Sequence, residues 1–204
     1  MSQPLPWDLD KRLEKERVDV IARIILDTRA ETLLLHDEDA GDSPWGLGCR
    51  SYDRTKNRII MLAEDGRYKW LAADKRAQFR FLIGGAVCGF YRGEADAPTD
   101  RTMRRRADEL EQQSFLFEDE RLVLIWRFAV STAPTGEVTQ ISFVGLSSEE
   151  GQVIAKYDFL PANDGVLVGL DNNYKKEEAE SVPRKGARRK KDGERLDAKG
   201  SSEE

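Results

Sequence analysis

The chain has one histidine, His36, and two cysteines, Cys49 and Cys88, in 204 residues. A single imidazole removes the raw material for most His-based catalysis and for His-rich metal sites. Two thiols 39 positions apart make neither a disulfide framework nor a zinc site. No apolar run approaches the roughly 20 residues a spanning helix needs, so no membrane association is expected. Met1 to Asp10 lacks the basic start and apolar stretch of a secretion signal, so the expected location is the cytoplasm. Also missing are a Gly-x-x-x-x-Gly-Lys-Ser/Thr loop, a Gly-x-Gly-x-x-Gly after a strand, and any Glu-x-Lys or Asp-x-Lys on a strand. Cofactor binding is therefore not expected.

What is present is charge, unevenly spread. Charged residues are 35 % of the chain and hydrophobic ones 39 %, with a mean hydropathy of -0.62. Four Trp, five Tyr and eight Phe nonetheless supply material for a core. The formal charge of -5 divides at Lys175: the last thirty residues hold ten basic and eight acidic side chains, and the first 174 hold 23 and 30. After Tyr174 there is no aromatic, and Val182 and Leu196 are the only large aliphatics. Such a segment cannot bury enough apolar surface to offset its backbone entropy. The expectation is one folded domain over 1–172 and a disordered tail over 173–204.

Within the domain, Leu13, Val20, Ile21, Ile24 and Ile25 recur at helical steps after a candidate cap at Asp8, and the stripe becomes ambiguous near Thr28. An acidic loop over 37–44 separates this helix from a second over about 45–64, ended by Asp65-Gly66. Phe79, Phe81 and Ile83 alternate up to Gly84-Gly85, and Val87, Cys88, Phe90 and Tyr91 follow, which reads as a β-hairpin. A third, highly charged helix is expected over 99–113. Apolar runs over 122–130, 138–146 and 153–160, divided by turn-forming segments, complete a three-stranded meander. The fold class is therefore α+β: an antiparallel sheet, hairpin plus meander, with about three helices packed on one face.

Two basic features point toward phosphate. Arg184, Lys185, Arg188, Arg189, Lys190 and Lys191 place six positive charges in eight residues of the tail, an arrangement that neutralises phosphates and releases counterions. Arg50, Arg54 and Arg58 repeat at i, i+4 and i+8 on the second helix and form the basic stripe with helical registry. The plainer alternatives are a solubilising tail and a solvated helix face paired with nearby acids. Arg104, Arg105 and Arg106 point in different directions on a helix and can pair with Asp108 and Glu109.

Gln112-Gln113-Ser114-Phe115-Leu116-Phe117 resembles the peptides that dock on bacterial sliding clamps, in which a glutamine fixes orientation and an apolar pair fills a pocket. Gln113, Leu116 and Phe117 carry the resemblance, which covers five residues and departs at Ser114 and Phe115. The alternative has these side chains sealing a helix end against the sheet. Three functional readings follow. The first is a non-enzymatic adaptor, bacterial or phage in style, acting in a nucleic-acid transaction through the basic arm and a protein partner. The second is a metal-dependent nuclease or hydrolase with dispersed carboxylates. The third is a protein-interaction module built on the long first helix.

Overall fold

A computed structural model of the chain describes residues 3–74, 79–103, 124–147 and 151–160. Chain contacts divide the molecule into Met1–Gly165 and Val166–Glu204, and every described residue belongs to the first unit. The tail over 173–204 lies outside the described residues.

The elements run α1 (Pro6–Leu9), α2 (Lys15–Leu34), α3 (Pro44–Glu64), β1 (Leu71–Asp74), β2 (Arg80–Ile83), β3 (Ala86–Arg92), α4 (Asp100–Met103), β4 (Leu124–Thr132), β5 (Val138–Ser147) and β6 (Val153–Phe159). The six strands form one sheet in sequence order, so the class is α+β. The hairpin and the meander occur where the apolar alternation put them. Gly84 and Gly85 occupy the hairpin turn with φ of 60° and 96°, the double positive φ that a tight primed turn requires. The sheet is nevertheless not wholly antiparallel. β3 and β4 run parallel, with Cys88 opposite Trp126 and Arg92 opposite Val130, so hairpin and meander join as a mixed sheet.

Period-2 alternation sorts the side chains onto two faces. One face carries Phe81, Cys88, Trp126, Phe128 and Phe143, and it packs with Val18, Ile21, Ile25, Ile59 and Leu62 of α2 and α3 in the main core. Ring contacts run across it, with Phe128 and Phe143 centroids 4.5 Å apart and Trp126 and Phe143 5.6 Å apart. The other face carries Ile125, Ala129, Val144 and Leu146, which pack with Ala95 and with Met103 of α4. The expected single helical layer is thus corrected: α2 and α3 share a face, while Met103 belongs to the opposite one. Of the helix expected over 99–113, Asp100–Met103 is seen and the remainder lies outside the described residues.

Helix starts also differ from expectation. Asp8 does not cap the long helix. It lies in the four-residue α1, where its Oδ2 accepts from the Leu5 amide at 3.1 Å, and α2 begins after Glu14. Ser43 caps α3, its Oγ accepting from the Gly46 amide at 3.1 Å, and Pro44 occupies the first turn, where no amide proton is needed. The N-terminal segment lies along the last strand, since the Lys156 amide donates to Pro4 O at 3.2 Å.

Candidate functional site

Arg29, Ser51 and Arg92 lie at the end of the sheet where the parallel strands β3 and β4 finish. Arg29 explains how the end is assembled. It follows Ile21 and Ile25 at four-residue steps, so it falls on the buried stripe of α2 rather than on its wet face. Only 6 % of Arg29 is exposed. Its Nε donates to Gly136 O in the β4–β5 turn at 2.8 Å, and its Nη1 donates to Ser51 Oγ on α3 at 3.0 Å. One guanidinium thus ties two helices and a turn together. Burial, and the nearby charge of Arg92, both lower its proton affinity.

Arg92 ends β3 on the same side. Gly48 lies one helical turn before Ser51, and a Cβ at Gly48 would stand 3.6 Å from Arg92 Nη1. Tyr52, four residues after Gly48, sets its ring 5.1 Å from that of Phe90, which packs the same part of α3 onto β3. Arg92 is exposed and makes no hydrogen bond or ion pair among the described residues.

Arg50, Arg54 and Arg58 do share one face of α3, but two of the three are already engaged. Arg50 Nη2 lies 2.5 Å from Asp42 Oδ1 and its Nη1 donates to Leu35 O at 3.3 Å. Arg50 beside it, helped by the Asp37 backbone, holds the Asp42 carboxyl down to about 2. Arg58 is bonded to Glu31 on α2 and donates to Thr28 Oγ1 at 3.1 Å. Arg54 is half-buried and carries no such pairing among the described residues. The stripe is therefore partly neutralised by α2 and the acidic loop. His36 immediately precedes that loop, with its Nδ1 buried and without a hydrogen-bond partner, 3.5 Å from Asp42 Oδ2.

On the opposite sheet face, Gly89 separates two further arginines: a Cβ there would lie 3.3 Å from Arg80 Cδ and 3.4 Å from Arg127 Cδ. Their Nη1 atoms donate to the carbonyls of Phe79 and Trp126, both at 2.9 Å. Arg127 is 2 % exposed, so the absent glycine side chain makes room for two stems inside a closed layer. Cys88 lies within the main core, where burial pushes its thiol well above the ordinary range. Cys49 is exposed on α3.

The basic arm residues Arg184, Lys185, Arg188, Arg189, Lys190 and Lys191, and the docking residues Gln113, Leu116 and Phe117, lie outside the described residues. Among the described residues, no three His, Cys, Asp or Glu side chains come together in a way that could hold a metal ion, and no helix is long and apolar enough to cross a membrane. No protein family matches the chain, and neither the curated proteins nor the solved structures give a match. Sequence reasoning missed Arg29, Ser51 and Arg92. The available signal was a charged residue standing in register with the apolar stripe of α2.

Proposed function

We propose that the chain is a non-enzymatic binding protein that works in a cytoplasmic nucleic-acid transaction. Its arm over 184–191 meets phosphates, and its acidic body meets a protein partner, with Gln113, Leu116 and Phe117 as docking residues. The observation that carries this reading is the concentration of six basic side chains in eight residues beside a body of opposite net sign. The pairing of Arg50 with Asp42 and of Arg58 with Glu31 adds to it, because a stripe partly neutralised from within leaves most of the electrostatic contact to the arm.

The test keeps the full chain and replaces Arg184, Lys185, Arg188, Arg189, Lys190 and Lys191 with glutamine. Binding to single- and double-stranded oligonucleotides is then measured against salt concentration. Removing six phosphate contacts should lower the slope of log K against log salt by about 4 to 5. Circular dichroism establishes that the variant keeps its fold. An affinity and a salt slope equal to those of the unaltered chain would sink the proposal.

A further inference from the structure

The Arg29–Arg92 end of the sheet has an electrostatic imbalance that the arm does not explain. Arg29 is 6 % exposed, and its hydrogen bonds go to neutral acceptors, Gly136 O and Ser51 Oγ. A buried guanidinium ordinarily has a carboxylate against it, because removing a charge from water costs several kcal/mol unless it is paired. Here no carboxylate pairs with it among the described residues, and the nearby charge is a second cation. Arg29 Nη2 makes no hydrogen bond and lies at the β4–β5 turn, 3.1 Å from where a Cβ at Gly136 would stand.

Arg92 repeats the pattern from the exposed side, with no ion pair or hydrogen bond among the described residues. Gly48 and Ser51 lie on one face of α3: a Cβ at Gly48 would stand 3.6 Å from Arg92 Nη1, and Ser51 Oγ accepts from Arg29 Nη1. The contrast with the neighbouring arginines is informative. Arg50 and Arg58 have Asp42 and Glu31, and Arg12 has Asp10 at 2.6 Å. Two neighbouring cations without an acid among the described residues set Arg29 and Arg92 apart from Arg50, Arg58 and Arg12.

We infer that Arg29, Ser51 and Arg92, beside Gly48 at the β3 end of α3, form a binding site for one phosphate-type oxyanion. Arg92 offers the exposed donors, Arg29 supplies the buried positive charge, and Ser51 holds the Arg29 guanidinium in place. Phosphate suits the Arg92 fork because its paired donors match tetrahedral oxygens, and the buried charge of Arg29 adds to the attraction. A free phosphate, a small phosphomonoester and a nucleic-acid terminal phosphate share that chemistry. The site uses none of the arm residues, so it does not depend on the function proposed above.

The full chain is titrated with inorganic phosphate in low-salt, phosphate-free buffer by calorimetry, alongside Arg92→Ala and Arg92→Glu. Arg92 is exposed and unpaired, so neither substitution should unfold the protein, which circular dichroism checks. Saturable phosphate binding by the unaltered chain, weakened about tenfold in R92A, is the expected result, since a charge-assisted pair is lost. R92E brings a carboxylate to Arg29 in place of the ligand, so it should raise the melting temperature without phosphate and abolish binding. The arm-neutralised chain should bind phosphate unchanged.

Two further titrations separate the sources. An oligonucleotide bound more tightly with a 5′-phosphate than without, in an Arg92-dependent way, assigns the site to nucleic-acid ends. Equal binding of the two oligonucleotides, with phosphate still bound, assigns it to a small ligand. No saturable phosphate binding, or equal binding by R92A, would overturn the inference.

Discussion

The two glycines of the β2–β3 turn offer a test of the fold in which adjacent, chemically identical substitutions should behave differently. Both have positive φ, 60° at Gly84 and 96° at Gly85. An L side chain pays a similar backbone penalty at each, about 1–2 kcal/mol. The surroundings differ sharply. A Cβ at Gly85 meets nothing within 4 Å, whereas a Cβ at Gly84 would lie 2.2 Å from the carbonyl oxygen of Arg12. That neighbour is backbone and cannot swing aside, so the turn must lift away from the Asp10–Arg17 segment. Lifting it strains the bond from Arg12 Nη1 to Gly85 O, now 3.2 Å, and that from the Gly84 amide to Trp70 O, now 2.7 Å. Overpacking of this kind costs about 1–3 kcal/mol, and a weakened charged hydrogen bond adds about 1 more. Gly85→Ala should thus lose about 1–2 kcal/mol and Gly84→Ala about 3–6 kcal/mol. In melting temperature the two should fall by about 3–6 °C and by 10 °C or more. Urea unfolding followed by tryptophan fluorescence gives the free energies, with an unchanged m-value as the check on comparison. Asparagine tolerates positive φ, so Gly85→Asn should be close to neutral while Gly84→Asn remains destabilised. If the two alanine variants fall within about 0.5 kcal/mol of each other, the turn does not lie against Arg12 and the placement of the N-terminal segment is wrong.

The same segment and the loop after β3 yield two more expectations. Asp10 is 6 % exposed and accepts from Trp126 Nε1 at 3.2 Å and from Arg12 Nη2 at 2.6 Å, so Asp10→Ala strands a buried indole proton and a guanidinium and should lose about 2–4 kcal/mol. Adding Trp126→Phe to Asp10→Ala should cost less than the sum of the two single losses in a double-mutant unfolding cycle, and strict additivity would contradict the contact. Burial, with Asp96 and Glu94 nearby, pushes the Tyr91 hydroxyl up to about 12. An unfolded tyrosine ionises near pH 10, so the unfolded chain loses this proton first, and stability present below pH 10 should be lost as pH rises toward about 12. Unfolding free energies of the unaltered chain relative to Tyr91→Phe, taken from pH 9 upward, should fall across that window, and a flat difference would refute the burial of the phenol.

Local pattern made some of this fold legible and left other parts silent. The hairpin was readable because Gly-Gly between two alternating runs has one cheap conformation, and the meander because turn residues stand between apolar strands at regular spacing. α3 was readable to its end because Asp65-Gly66 interrupts the periodicity, and Gly66 indeed takes a φ of 73°. β1 was not readable. Leu71-Ala-Ala-Asp has no alternation and low strand propensity, and it becomes a strand because Leu71 and Ala73 find Ile83 and Phe81 across the ladder. The parallel register of β3 on β4 was equally hidden, since the two strands are separated by 31 residues and nothing within either specifies the direction of its neighbour. Each strand alternates correctly for its faces in both orientations.

The candidate site inverts what the charge pattern alone implied. Arg50, Arg54 and Arg58 drew notice because registry on a helix is visible in one dimension, but registry also places them within reach of acids on α2 and in the loop, and Asp42 and Glu31 take two of them. Arg29 drew none because it follows Ile25 at the spacing of a core residue, and burial is what gives it chemical weight. A guanidinium in water with a carboxylate beside it contributes little to recognition, because an incoming anion must displace both. One held away from water without a counter-charge gains from every anion that reaches it. The same reasoning separates Arg92 from Arg58, because only Arg58 has its acid supplied by the neighbouring helix. Charge counting ranks these arginines alike. Their surroundings separate them, and Arg92→Glu reads that difference directly, since it stabilises the fold only if Arg29 lacks a partner.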